Sequence, residues 1–175
     1  MKFFVSLLIG WISVASSAVI AYAMTEGVNA EVLGVYFAPS ANVTYSIVKV
    51  IDASEHEVLV QAYGFTHNAI AQALVRAHQR GVTVRVLLDK KSQSANRYVM
   101  DLFADSGIDV REDGKHAIAH NKVMVIDQSI LITGSFNFTN SAATRNAENF
   151  LVLKSADLAE KYRIQWQSHW AHSLE

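Results

Sequence analysis

The sequence predicts an α/β fold, a mixed β-sheet sandwiched between α-helices. Three observations lead there. Short runs dense in Val, Ile and Leu alternate with segments whose apolar residues recur at helical spacing. Strands that are apolar on both faces need cover on both sides. In the second half the strand-like runs follow one another with short connections, which makes those strands antiparallel and the sheet mixed.

The elements follow in order. Glu31 to Phe37 reads as a strand broken by Pro39-Ser40, and Asn42 to Ala53 as a helix with Val43, Ile47, Val50 and Ile51 on its apolar side. Glu57 to Phe65 is a second strand. Asn68 to Arg80 is a helix with Ile70, Leu74 and Val75 on one face, stopped by Gly81, a typical residue just past a helix end. Val82 to Leu88 is a third strand, and Ser94 to Asp105 a third helix followed by Gly107. Ile108 to Arg111, Lys122 to Ile126, Ser129 to Thr133 and Asn149 to Leu153 are strand-like. Asp127-Gln128-Ser129 between two of them is a tight turn, so its flanks form a hairpin. Ala156 to His172 closes the chain as a helix carrying Trp166 and Trp170 at i, i+4. Those two indoles are read as packing residues, and His169 and His172 as facing solvent.

Composition narrows the function classes. The 175 residues are 51% apolar, with one proline and no linker, repeat or low-complexity segment. The absence of cysteine excludes disulfides, zinc–thiolate sites and thiol nucleophiles. A net charge of −1 does not announce nucleic acid, although a local basic patch still binds phosphate. Lys2, an apolar run from Phe3, and Ala21-Tyr22-Ala23 read as a signal peptide over 1–23, the alternative being an uncleaved membrane anchor. Residues 24–175 are then a single domain, placed in the periplasm or secreted, with membrane contact only if the leader stays.

The chemistry concentrates in two short stretches. His120 and Lys122 stand two apart at the start of a strand and so point the same way. Ser135 and Asn137, beyond the hairpin, share a face in the same manner, and Gly134 beside them leaves room for a ligand. An imidazole, an ammonium, a hydroxyl and a carboxamide thus converge on one point, a cradle for a tetrahedral anion. His120, titrating near neutrality, serves as nucleophile or proton donor. A lone histidine at a strand end is usually a surface group; here the companions change the reading. His78-Gln79-Arg80 mimics the pattern, but on a helix and without a Gly-Ser-x-Asn sequel. His116 is read as a rim residue. The seven histidines show no ligand spacing such as H-E-x-x-H, so no metal is expected.

His120-x-Lys122, Asp127, Gly134-Ser135 and Asn137 reproduce at every defined position the HxK(x)4D(x)6GSxN signature, and the chain resembles the phospholipase D superfamily. Val60 to Phe65 and Asn146-Ala147-Glu148-Asn149 look like its small, single-motif bacterial endonuclease branch, and the resemblance runs from about Val32 into the last helix. It implies a phospholipase D-like fold and a phosphohistidine intermediate formed without metal or cofactor. Within the motif it implies His120 as nucleophile and Lys122, Ser135 and Asn137 as phosphate ligands. Asp127 belongs to the catalytic motif in a structural capacity, and Glu148 is expected to orient His120. The reading that follows is a non-specific DNA endonuclease, with RNA also open. One motif per chain, where the mechanism uses two histidines, implies a homodimer with a shared site. The rivals are a lipid-cleaving phospholipase D or phosphatidyl transferase, a membrane-anchored single-motif relative, and a non-catalytic nucleic-acid-binding module.

Overall fold

The computed structural model describes residues 27–173, so the leader over 1–23 lies outside the described residues. Seven strands form one sheet in the order β1-β7-β6-β5-β2-β3-β4. They are β1 (Glu31–Ala38), β2 (Glu57–Ala62), β3 (Thr83–Asp89), β4 (Asp109–Asp113), β5 (Lys122–Ile126), β6 (Ile130–Gly134) and β7 (Glu148–Lys154). The helices are α1 (Asn42–Asp52), α2 (Asn68–Gln79), α3 (Gln93–Asp105), the short α4 (Asn140–Thr144) and α5 (Ala156–His172). No helix among the described residues is long and apolar enough to cross a membrane.

The mixed character has a simple origin. β2, β3 and β4 are parallel because α2 and α3 carry the chain back across the sheet between them. The short turn after β5 makes β5 and β6 an antiparallel hairpin; β6, β7 and β1 continue antiparallel, and β5 joins β2 antiparallel at the centre. Side-chain alternation divides the apolar residues between two cores. Val58, Val60, Val86, Met124, Ile132 and Phe150 face α1, α2 and α3. Leu59, Leu87, Val123, Val125 and Leu131 face α5, where Trp166 is buried and its indole N–H donates to the Val60 carbonyl at 2.9 Å. The sheet is therefore covered on both faces, as the sequence predicts.

Three departures are informative. β2 stops at Ala62, short of Phe65, because the Asn96 carboxamide captures the next backbone groups: its oxygen accepts from the Phe65 N–H at 2.8 Å and its NH2 donates to the Tyr63 carbonyl at 3.0 Å. β4 runs on to Asp113, since pairing with β3 (Leu88 with Glu112, Asp89 with Asp113) overrides the poor strand propensity of two acids. The third is α4, a five-residue helix not foreseen, capped by Thr139, whose hydroxyl accepts from the Ala142 N–H.

Candidate active site

One end of the sheet gathers the motif. Register places Lys122, the first residue of β5, opposite Ala62 at the end of β2, while Gly134 ends β6 opposite Phe150, and Glu148 opens β7 opposite Ala38. The result is an open cavity of about 340 Å³ lined by His120, Lys122, Gly134, Ser135, Asn137 and Glu148. Five of these six are the residues expected to carry the chemistry, and the sixth is the motif glycine.

Lys122 is buried, and its ammonium donates to the His120 carbonyl at 2.7 Å. Burial lowers its pKa, and the Glu148 carboxylate opposes that shift. The Ser135 hydroxyl donates to Glu148 at 2.6 Å and accepts the Asn149 N–H at 3.1 Å, so its orientation is fixed. Asn146 holds the other Glu148 oxygen at 3.1 Å. The Asn137 side-chain oxygen is buried with no hydrogen-bond partner among the described residues. Amide oxygen and nitrogen are interchangeable by a half-turn, so Asn137 can present its NH2 group to an anion there.

Glu148 differs from expectation. No hydrogen bond joins it to His120 among the described residues; it anchors Ser135 and sits electrostatically against Lys122. The His120 ring is exposed and meets the edge of Tyr63, with centroids 4.6 Å apart. Gly134 also differs. A Cβ there would lie 2.3 Å from the Asn149 carbonyl oxygen, so the missing side chain makes room for the neighbouring strand β7 rather than for a ligand.

Asp127 lies at the far end of β5, about 17 Å from Lys122 at the usual rise per strand residue. Its carboxylate accepts the backbone N–H groups of Glu55, His56 and Glu57 at 2.9, 2.8 and 2.9 Å. Burial works to raise its pKa, but those three donors outweigh it and hold the carboxyl below its usual range. Asp127 and Gln128 both take left-handed backbone angles (φ 48° and 54°), as the centre of a primed-type turn requires, and Ser129 completes the connection between Ile126 and Ile130. Asp127 therefore builds the turn and takes no part in the pocket.

Two contributors were not named as site residues from the sequence, one inside the Val60–Phe65 segment and one at the end of β3. Tyr63, just past β2, contacts the His120 ring and also the Lys122 ammonium, 5.4 Å from its ring centre. Asp89, fully buried at the end of β3, accepts the Ala119 N–H at 2.7 Å and the Ser92 N–H at 2.9 Å, which fixes the backbone immediately before His120. The last helix holds a further surprise. His169 is buried, not solvent-facing, and its Nδ1 lies 3.0 Å from Asp113 Oδ2. His116 stacks on it with ring centroids 4.5 Å apart.

Residues 47–170 match the family described as "Cardiolipin synthase, PLD-like domain". Among curated proteins, a "Phospholipase D" of Rickettsia prowazekii is 43% identical over 132 residues, 75% of this chain and 64% of its own length. A "Mitochondrial cardiolipin hydrolase" of Chlamydomonas reinhardtii is 33% identical over 108 residues, 62% of this chain and 48% of its own. The chain thus spans somewhat less than two thirds of the rickettsial relative. Among solved structures, the phospholipase D family member Nuc from Salmonella typhimurium superimposes with a TM-score of 0.80 at 34% identity, covering 83% of this chain and 97% of Nuc.

Proposed function

The chain belongs to the phospholipase D superfamily, and from that membership we propose that it hydrolyses phosphodiester bonds in nucleic acid, acting as a metal-independent endonuclease on DNA with little sequence preference. The observation that carries this reading is the convergence of His120, Lys122, Ser135 and Asn137 on one open cavity. His120 attacks phosphorus through a ring nitrogen, the P–O bond to the leaving oxygen breaks, and a phosphohistidine forms. Lys122, Ser135 and Asn137 hold the non-bridging oxygens, where charge develops in the transition state. Tyr63 positions both the nucleophile and the ammonium. Water then attacks the phosphohistidine and releases His120.

A general acid must protonate the leaving oxygen, and His120 is the one histidine that lines the cavity among the described residues. We assign that role to His120 of a second copy in a two-fold symmetric dimer. Val35 and Phe37 support it. They are 51% and 68% exposed on edge strand β1, whose next residue, Ala38, pairs with Glu148 beside the cavity. Burying them against a second copy would bring the two cavities together. From the leader's pattern alone, we place the mature protein in the periplasm or outside the cell.

Apart from Gly134, every residue that lines the cavity carries a polar or charged side-chain group, which suits a sugar-phosphate backbone better than acyl chains. The relatives' names favour a second reading, in which the phosphodiester is that of a lipid. Plasmid, single-stranded DNA and RNA, with phosphatidylcholine and cardiolipin vesicles in parallel, separate the two. Cleavage of nucleic acid is expected; turnover of vesicles alone would overturn the nuclease reading, and turnover of neither would leave only a binding module.

A further inference from the structure

Among the described residues, a group of four metal-ligating side chains lies outside the cavity, where the last turn of α5 meets the end of β4. Asp113 is fully buried there, and its Oδ1 accepts the N–H groups of Lys115 and His116 at 3.1 and 3.3 Å. Three imidazoles converge on the same carboxylate. His116 Nδ1 and His169 Nδ1 lie 2.8 and 3.0 Å from Oδ2, and His172 Nε2 lies 3.5 Å from Oδ1. One ligand atom from each of the four residues falls within 4.8 Å of all the others.

Hydrogen bonds satisfy Asp113, His116 and His169, whose Nδ1 also lies 2.9 Å from Gln61 Nε2, but not the fourth member of the cluster. His172 Nε2 is buried and, although near Asp113, makes no hydrogen bond.

We propose that Asp113, His116, His169 and His172 bind one divalent transition-metal ion of the zinc class. The donors fit that choice: three imidazole nitrogens and one carboxylate oxygen are borderline ligands that suit zinc, whereas magnesium and calcium take oxygen. Tetrahedral bonds of about 2.0–2.1 Å set donors about 3.3 Å apart, so the widest separation must close by about 1.5 Å. His116, whose side chain is 41% exposed, has room to turn inward. His169 has its outer partner in place, since Gln165 Nε2 lies 2.7 Å from His169 Nε2. With that amide turned to offer its oxygen, the Nε2–H donates to Gln165, and Nδ1, which also lies 2.9 Å from Gln61 Nε2, exchanges that amide contact for the metal.

None of the four residues lines the active-site cavity, so the ion is structural. It ties the end of α5 to the loop between β4 and β5, the segment that carries His120. The inference is independent of the proposed substrate and of the phosphohistidine chemistry.

The test uses untagged protein, stripped with EDTA and dialysed, then titrated with zinc chloride alone by calorimetry. One ion per chain is expected to bind, with a melting temperature that rises with zinc concentration. Cobalt in place of zinc should give the intense visible absorption of a tetrahedral centre. His116→Ala and His172→Ala, both at positions that tolerate truncation, should each weaken zinc binding by more than about tenfold, at least the loss typical of a partner behind a ligand. His120→Ala should bind zinc as the wild type does. Absence of stoichiometric binding, binding that survives both histidine substitutions at the cluster, or binding lost in His120→Ala would each overturn the proposal.

Discussion

Replacing Asp127 by Ala is the sharpest separation of structure from chemistry in this fold. The carboxylate accepts three backbone N–H groups from the segment between α1 and β2, all at 2.8–2.9 Å. A hydrogen bond to a charged group contributes about 1.5–3 kcal/mol when shielded. Two of these three are open to solvent, which roughly halves them, so the substitution should cost at least about 3 kcal/mol in all. Alanine is also strained at φ 48°, in the same direction. For a domain of this size the melting temperature should fall by roughly 10 °C. Asp127→Asn tolerates the left-handed backbone and keeps one acceptor oxygen, so it should recover about half of the loss. The pH dependence follows from the depressed pKa of the folded carboxyl: its contribution is complete above the unfolded value of about 3.9 and disappears as pH falls through the lower folded value. Wild type and Asp127→Ala should therefore converge in stability in strong acid. Thermal melts across pH, with plasmid cleavage measured well below either melting temperature, check this. A variant that melts like the wild type yet has lost activity would refute the reasoning.

Other outcomes can be stated briefly. Cleavage should persist in excess EDTA with the melting temperature followed alongside, and dependence of the rate on added magnesium would defeat the phosphohistidine mechanism. His120→Ala should show no measurable turnover, and Lys122→Ala should lose about a hundredfold or more, with the fold intact by melting temperature. Burial depresses the Lys122 pKa and Glu148 supports its charge, so activity should fall at alkaline pH as that proton leaves. Glu148→Gln should move this alkaline limb to lower pH; an unshifted limb would detach Glu148 from Lys122. A heterodimer of wild type and His120→Ala, isolated with two tags, should be nearly inactive if the two copies share one site, whereas about half the wild-type rate would mean that each chain is complete.

The site's legibility follows from distance along the chain. His120, Lys122, Ser135 and Asn137 lie at or just beyond the ends of two adjacent strands joined by the short turn over Asp127-Gln128-Ser129, and the extended backbone there keeps the alternation that sets which of them share a side. The same alternation, with helical spacing elsewhere, made the layered α/β sheet readable and left strand ends, as at Phe65 and Asp113, and the short helix α4 unread, since five residues are too few to show a helical period. Asp127 was readable as a turn residue for the same reason: the turn is built within the hairpin.

The sequence by itself determined the class of fold, the order of its elements and the motif at one end of the sheet. Only the tertiary structure decided what surrounds them. Tyr63 reaches His120 because β2 is the central neighbour of β5, and Asp89 secures the Ala119 backbone because β3 ends beside the same loop. Glu148 lies closer in sequence to the motif, yet its partner is Ser135 and not His120, a matter of side-chain packing that spacing does not encode. The cluster at Asp113 is the extreme case. Its carboxylate and the His169 ring are 56 residues apart, and no ligand spacing along the chain links them. They meet because α5 lies across the sheet with its last turn at the end of β4, an arrangement set by burying Trp166 against the sheet rather than by any local pattern of histidines.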